Sequence, residues 1–433
     1  MSGPRAGWGA GVAAVACLIA SCAGGVGREP AADSSAAGAV WVRVEGAEEI
    51  LGGPGAQGMS SIAVGGPGLV AVGTESSGDD AYGAVWTSVD GLTWTRVPHD
   101  EETLGGPGDQ SMRSVAAGGP GLVAVGSQSR GLDSDAAVWT SVDGLTWARV
   151  PHDAAVFGGS RRQAMNAVAA GGPGLVAVGY DEQDAGYNDG GGKATQAAVW
   201  TSVDGLTWQR VPNDEGIFGG ENSQVMNAVV AGGPGLVAVG YDNANQGWGG
   251  MDANAAVWTS PDGTAWKRVP NTEVFGDQRW QTMNAVMVEG TRLVAVGYDG
   301  PLDKYDAAVW TSVDGMTWTR VPQDKAVFGG AGVQGMNAVT AWDAGLVAVG
   351  YDRSGGAFEA AVWISPDGST WARVPRDRAV FGGLGAQRMN GVVARASGLV
   401  AVGHRLAMVG WVPRDSDAAV WVAPPLLPRP AVP

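Results

Sequence analysis

Short segments that are apolar on both faces recur along the chain, separated by turns rich in Gly, Pro, Ser and Asp. The run LVAVG stands at Leu69, Leu122, Leu175, Leu236, Leu293, Leu346 and Leu399, at separations of 53 to 61 residues. A segment such as Met165 to Ala170 precedes each run across a turn such as Gly171 to Gly174. An AVW segment follows, at Ala84 to Trp86 in the first copy, and leads through an Asp-Gly turn into TWxRVP. All four segments, A to D in chain order, are short and rich in Val and Trp, the composition of strands rather than helices. Segment B is apolar on both sides and C nearly so, so each small sheet is expected to be covered on both faces.

Seven copies of a four-stranded unit whose sheets cover one another predict an all-β chain, folded as a seven-bladed β-propeller of four-stranded antiparallel blades. The termini point to a closed ring. The seventh copy stops after its C segment, Ala418 to Val422, while Ala39 to Val44 near the start carries the W-x-R-V of a D segment. The N-terminal strand is therefore expected to complete the last blade and leave no large unpaired edge. The expected organisation is a signal segment over 1–21, a flexible tether over 22–38, the propeller over 39–423 and a Pro-rich tail over 424–433.

The C-to-D turns read TSVDGLTW at Thr87, Thr140 and Thr201, TSPDGTAW at Thr259, TSVDGMTW at Thr311 and ISPDGSTW at Ile364. Gly supplies positive φ in such a turn, Ser and Asp side chains can bond its amides, and Trp can cover it from the strand. These turns resemble the Asp box, S-x-D-x-G-x-T-W, of sialidases and other Asp-box (BNR-type) propellers, with one residue fewer between Asp and Gly. The resemblance spans nearly all of residues 39–423. It implies that Asp90, Asp143, Asp204, Asp262, Asp314 and Asp367 are structural and lie on the blade periphery, away from the ligand face. It implies no single chemistry, because sialidases, other glycoside hydrolases, sorting receptors and photosystem assembly factors share the motif.

Charge and the chain ends narrow the setting. A net charge of −16 argues against nucleic acid, whose non-specific binding draws its affinity from Lys and Arg neutralising phosphates. Arg5, the apolar run Ala10 to Ala20 and then Ile19-Ala20-Ser21-Cys22 resemble a bacterial lipoprotein signal. The run is too short to span a bilayer, and an aliphatic residue, two small residues and Cys form the lipobox. Cys22 is then the lipidated N-terminus of an exported protein, held on the extracytoplasmic side of the envelope by its lipid alone. Cys17, the other cysteine, lies in the removed segment, so neither a disulfide nor a Cys metal site is expected. No cofactor or metal is expected, since His99, His152 and His404 offer little for a zinc centre or a triad. Asp181, Asp184, Asn188 and Asp189 lack the spacing of an EF-type calcium loop.

In a ring with one axis, a residue present in every blade is expected to be structural and a site residue to occur once or twice. That rule sets aside the Arg-Val-Pro arginines at Arg96, Arg149, Arg210, Arg268, Arg320 and Arg373. It treats the Tyr-Asp carboxylates Asp181, Asp242, Asp299 and Asp352 likewise, with a ligand ring as their lesser alternative. Gln57, Gln110, Gln163, Gln224, Gln281, Gln334 and Gln387 are expected two residues ahead of each A strand, around the channel mouth, satisfying loop backbone groups. The B-to-C loops are lengthened in blades 3, 4 and 7. Fourteen of the 19 Trp fill C or D positions, whereas Trp248 and Trp411 fall in long loops and Trp280 in a D-to-A loop. With Tyr187 they are the ligand-binding candidates, because exposed rings stack on sugars or anchor proteins; the alternative is that they pack over their own loops. Arg161, Arg162, Arg279, Arg388 and Arg405 are unrepeated arginines on the same face.

The first expectation for function is a non-catalytic, monomeric lipoprotein propeller that binds a glycan or protein partner through its long-loop face. The second is a glycoside hydrolase of sialidase type, which needs converging arginines, a Tyr-Glu nucleophile and an acid. The third is a purely scaffolding or assembly-factor role.

Overall fold

The computed structural model describes residues 40–424 apart from 46–47, 54, 79, 132, 160, 183–194, 221–222, 244–252, 277–279, 302, 343–344, 384 and 410–411. Each repeat forms four antiparallel strands in the order A-B-C-D across its sheet. In blade 1 these are Gln57–Gly65, Gly68–Ser77, Asp80–Ser88 and Trp94–Arg96. Seven such sheets follow one another, and strand A of each blade touches strand A of the next all the way round, blade 7 returning to blade 1. The chain is therefore a seven-bladed β-propeller with its A strands around the axis.

Blade 7 takes strands Gln387–Arg395, Gly398–Val409 and Val412–Ala423 from the C-terminal repeat and its fourth strand, Val42–Arg43, from the N-terminus. Val42 pairs with Val422 and Arg43 with Trp421. Arg96 faces Trp86 in the same register in blade 1. The closing strand is shorter than the Ala39 to Val44 that the sequence suggests, but Trp41 beside it is buried.

The core lies between blades, as two-sided apolar strands require. One cluster joins Val70, Val72 and Val85 of blade 1 to Met112, Leu122 and Trp139 of blade 2, and another joins Val400, Val402 and Val420 of blade 7 to Met59, Leu69 and Trp86 of blade 1. The Trp of each C strand is fully buried, and its indole nitrogen needs an acceptor there. Trp200 Nε1 donates to the Val156 carbonyl at 2.7 Å, on the connection entering its blade.

Each A strand carries a bulge, seen in blade 3 as a slip of register between Met165 and Ala167. Asn166 occupies that bulge and donates from Nδ2 to the Met226 carbonyl of the next blade at 2.9 Å. Asn227, Asn284, Asn337 and Asn390 repeat the bond around the ring. Opposite the bulge stands the Gly of LVAVG. A Cβ on Gly179 would overlap the Ala164 carbonyl oxygen, and the equivalent overlap awaits one in every blade.

The Asp boxes form as their chemistry suggests. In blade 3, Ser202 Oγ donates to the Thr207 carbonyl and accepts from Gly205 N, while Asp204 Oδ1 accepts from the amides of Leu206 and Thr207. Gly205 has φ of 78°, and Trp208 Nε1 closes the turn on the Gly205 carbonyl. Trp41 has the equivalent position without a described box, and its indole nitrogen has no partner among the described residues.

Backbone amides hold the box carboxyls low, led by Ala265 N at Asp262 and Thr317 N at Asp314, both lowered from 3.8 to about 2. A carboxyl depressed in the folded state contributes stability that is fully present above its unfolded value and is lost as pH falls through its folded value. Asp262→Ala should therefore unfold at a lower urea concentration than wild type at pH 6. The gap should narrow between pH 3.8 and about 2, and urea titrations at pH 6 and pH 2 measure it.

Candidate ligand-binding face

Because strands alternate in direction, the A-to-B turns and Asp boxes share one end of the ring, and the B-to-C and D-to-A connections share the other. The repeated polar residues of this loop end are engaged within their own blades. Arg268 bonds Asp242 at 2.9 Å and Arg373 bonds Asp352 at 2.6 Å; Arg210 pairs with Asp181 and Arg320 with Asp299. The same guanidinium lies over the C-strand Trp, 5.6 Å from the Trp200 centroid for Arg210. These carboxylates are buried blade supports rather than a ligand ring.

The glutamines also differ from expectation. Each is the first or second residue of its A strand, buried inside the blade rather than arrayed around the mouth. Gln334 Nε2 bonds Asp352 Oδ1 at 2.9 Å, and Gln110 Nε2 bonds the Gly108 carbonyl at 3.0 Å, the loop-satisfying role. Asp181, the first member of the possible calcium cluster, is paired with Arg210, and Asp184, Asn188 and Asp189 lie outside the described residues. So do Tyr187, Trp248, Trp411, Arg279 and Cys22.

Trp280 is described, as the first residue of strand A in blade 5 (Trp280–Glu289) rather than in a loop. It begins a ladder of rings across the loop end of blades 5 and 6. Trp280 meets Tyr298 at 6.4 Å between centroids, Tyr298 meets Tyr305 at 4.5 Å, Tyr305 meets Tyr351 at 6.5 Å and Tyr351 meets Phe358 at 5.4 Å. The hydroxyls of Tyr305 and Tyr351 lie 3.0 Å apart. Tyr351 is buried and the other four rings are half-buried, so the ladder keeps an accessible side.

Arg388 ends the ladder, with its guanidinium 3.8 Å from the Phe358 centroid and 4.5 Å from that of Tyr351. It has no hydrogen-bond or ion-pair partner among the described residues. His404, its register partner in strand B of blade 7, is pushed down to about 4 by burial, assisted by the charge of Arg388. It is therefore neutral near pH 7, and its Nδ1 faces Asn390 Nδ2 at 3.3 Å. Of the other unrepeated arginines, Arg405 bonds Asp417 at 3.0 Å, and Arg162 lies near Glu182.

Burial pushes the Tyr298 hydroxyl up to about 12 and that of Tyr351 well above its ordinary value, away from an activated nucleophile. Glu359 and Asp352 lie in the same blade as Phe358. Burial works to raise both, but hydrogen bonds and the charges of Arg376 and Arg378 at Glu359, and Ser354, Gln334 and Arg373 at Asp352, outweigh it and hold them low. A general acid needs the opposite shift.

Sequence reasoning missed Tyr298, Tyr305, Tyr351 and Phe358. A signal for Phe358 was present: the other five Phe recur at one place in the repeat, just before strand A.

No family model matches the chain, and no curated protein does. Among solved structures it is similar to a protein of unknown function from Dyadobacter fermentans, with 13% identity, 86% of this chain and 97% of that chain covered, and a TM-score of 0.44. It is also similar to a PL25 ulvan lyase bound to -[GlcA(1-4)Rha3S]-, with 10% identity, coverage of 82% and 90%, and a TM-score of 0.47. A family 117 glycoside hydrolase from Zobellia galactanivorans is similar at 14% identity, with coverage of 53% and 70% and a TM-score of 0.31. Likenesses at such identities concern fold alone; the chemistry here is read from the side chains.

Proposed function

We propose that this propeller is a non-catalytic, lipid-anchored binder of glycans at the cell envelope, using the mouth of its channel at the loop end. The observation that carries this reading is the ladder from Trp280 to Phe358, in which unrepeated rings join two repeated tyrosines, with Arg388 at its end. Aromatic faces stack on the apolar faces of sugar rings, and a guanidinium fixed by stacking is ready to bond a carboxylate or sulfate. Acidic saccharides fit both features. The elevated Tyr hydroxyls and depressed carboxyls at the mouth support binding over hydrolysis.

A glycan array followed by calorimetry tests this. Trp280→Ala and Phe358→Ala should each weaken an acidic hit by about 1 to 3 kcal/mol with little change in melting temperature. Arg388→Ala should remove the preference for acidic over neutral saccharides. An array without hits, or a hit indifferent to all three changes, sinks the reading. The anchor is tested separately: Cys22→Ser should move the protein from the membrane fraction to the soluble fraction, and unchanged fractionation would discard the lipoprotein assignment.

A further inference from the structure

Among the described residues, the large hydrophobic side chains that stand exposed are gathered, Val42 apart, at the end opposite the ladder. Val89 and Leu92 flank the box carboxylate of blade 1, and their equivalents recur in blades 2, 3 and 5, with Val142 77% and Val203 76% exposed. Val64, at the inner end of strand A, and Val40, just before the closing strand, lie at the same end. Only Val42, on an outer edge strand, stands elsewhere among the described residues. The boxes of blades 4 and 6 carry Pro261 with Thr264 and Pro366 with Ser369 at these places.

The turn does not require apolar residues at these places, since the Ser, Asp, Gly and Trp of each box make it, and the boxes of blades 4 and 6 close the same way without them; in blade 5 the Met316 sulfur also accepts from Thr259 Oγ1 at 3.5 Å. The boxes close the same C-to-D connection in six consecutive blades, so they stand around one end of the ring. A flat partner can touch all of them together, whereas a globular partner would reach only a sector. At the centre of the same end, an apolar cavity of about 330 Å³ is lined by Ile62, Val64, Val115, Val168, Val229 and Val393.

The chain also enters the ring here. Strand Val42–Arg43 runs antiparallel to Val412–Ala423, whose C-terminal end is the box end, so the residues before Val42 leave from that end. If Cys22 carries lipid and the tether expected from the sequence behaves as a Gly-rich coil, its reach would be roughly 20 to 25 Å, which would keep the box end close to the bilayer at high effective concentration. We propose that the Asp-box end rests on the surface of the bilayer that holds the anchor, with its Val and Leu tips in the lipid interface and the ladder turned outward. This rests on the lipid-anchor reading. The box carboxylates stand beside these tips, so zwitterionic lipid should be preferred over anionic lipid.

The lipidated full chain is suited to single-site labelling, because its two cysteines, Cys17 and Cys22, are respectively removed and acylated in that reading. Leu145→Cys and Leu206→Cys at the box end, and Lys304→Cys at the loop end, would carry an environment-sensitive fluorophore in phosphatidylcholine vesicles. The expected result is a blue shift and a several-fold gain in emission at 145 and 206, quenched by spin-labelled lipid, with 304 unchanged. Adding Val142→Asp and Val203→Asp, both at exposed positions, should abolish the shift while the protein stays anchored. Solvent-like emission at 145 and 206 in anchored protein overturns the proposal. So does a shift that depends on protein concentration in lipid-free detergent solution, which would mean that a second copy covers the face. Failure of the anchor itself shows independently, in the fractionation of Cys22→Ser.

Discussion

Deleting residues 40–44 destabilises the whole ring rather than one end of it. The segment supplies the outer strand of blade 7, paired through Val42 and Val422, and Trp41, which is buried in the cluster that joins blades 6 and 7 and includes Phe381, Val392 and Trp421. Arg43 bonds the Gly382 carbonyl at 3.1 Å and so fixes the connection entering the same blade. Losing one buried large side chain costs about 1.5 to 3 kcal/mol, and exposing the edge of blade 7 adds unpaired backbone groups. The total should reach at least several kcal/mol. Unfolding entropy grows with chain length, so for a ring this long 1 kcal/mol moves the midpoint by only about 1 °C. Denaturant unfolding is the better measurement, and an unchanged midpoint in the truncated protein would show that the ring closes without this strand.

Gly179→Ala, like the same change at its equivalents in the other blades, should be among the most damaging single methyls in the ring. Its Cβ would overlap the Ala164 carbonyl oxygen across the A-strand bulge, and the obstruction is backbone, which cannot rotate away. Relief requires moving the bulge, and with it the Asn166 bond to Met226 that links blades 3 and 4. Overpacking typically costs about 1 to 3 kcal/mol, and this site should reach the top of that range or pass it. Gly290→Ala is the control: φ is 59° there, but a Cβ meets nothing within 4 Å, so only the left-handed backbone penalty of about 1 to 2 kcal/mol applies. Equal losses in the two variants, read from denaturant midpoints, would mean that the LVAVG glycine is not fixed by this close approach.

These two sites also mark what could be read in advance. The closing strand was legible because W-x-R-V at the N-terminus matches a D segment and the seventh copy lacks one. The LVAVG glycine was visible as a repeated letter without a reason. Its reason is a carbonyl on another strand, brought there by a one-residue bulge, and strand periodicity does not announce a bulge. The glutamines were misplaced for the same cause: whether a strand begins at the Gln or two residues later depends on pairing, such as Gln163 with Asp181.

The rule that repeated residues are structural held for the arginines, which pair with blade carboxylates, and for the boxes. It also concealed part of the mouth. Tyr298 and Tyr351 belong to a repeated Tyr-Asp pair, yet beside the unrepeated Tyr305, Phe358 and Arg388 they become members of a ladder.

The sequence by itself determined the number of blades, their strand order and the closure, because turn chemistry and two-sided apolar strands are local properties copied seven times. Only the tertiary structure decided which unrepeated side chains meet. Trp280, Tyr305, Phe358 and Arg388 come from blades 5, 6 and 7 and stand far apart in the chain. They meet at the loop end because the ring sets blades 5, 6 and 7 side by side, a relation that no segment encodes alone. The placement of the exposed Val and Leu of the described residues is of the same kind: each box carries the letters, but only the ring gathers them at one end.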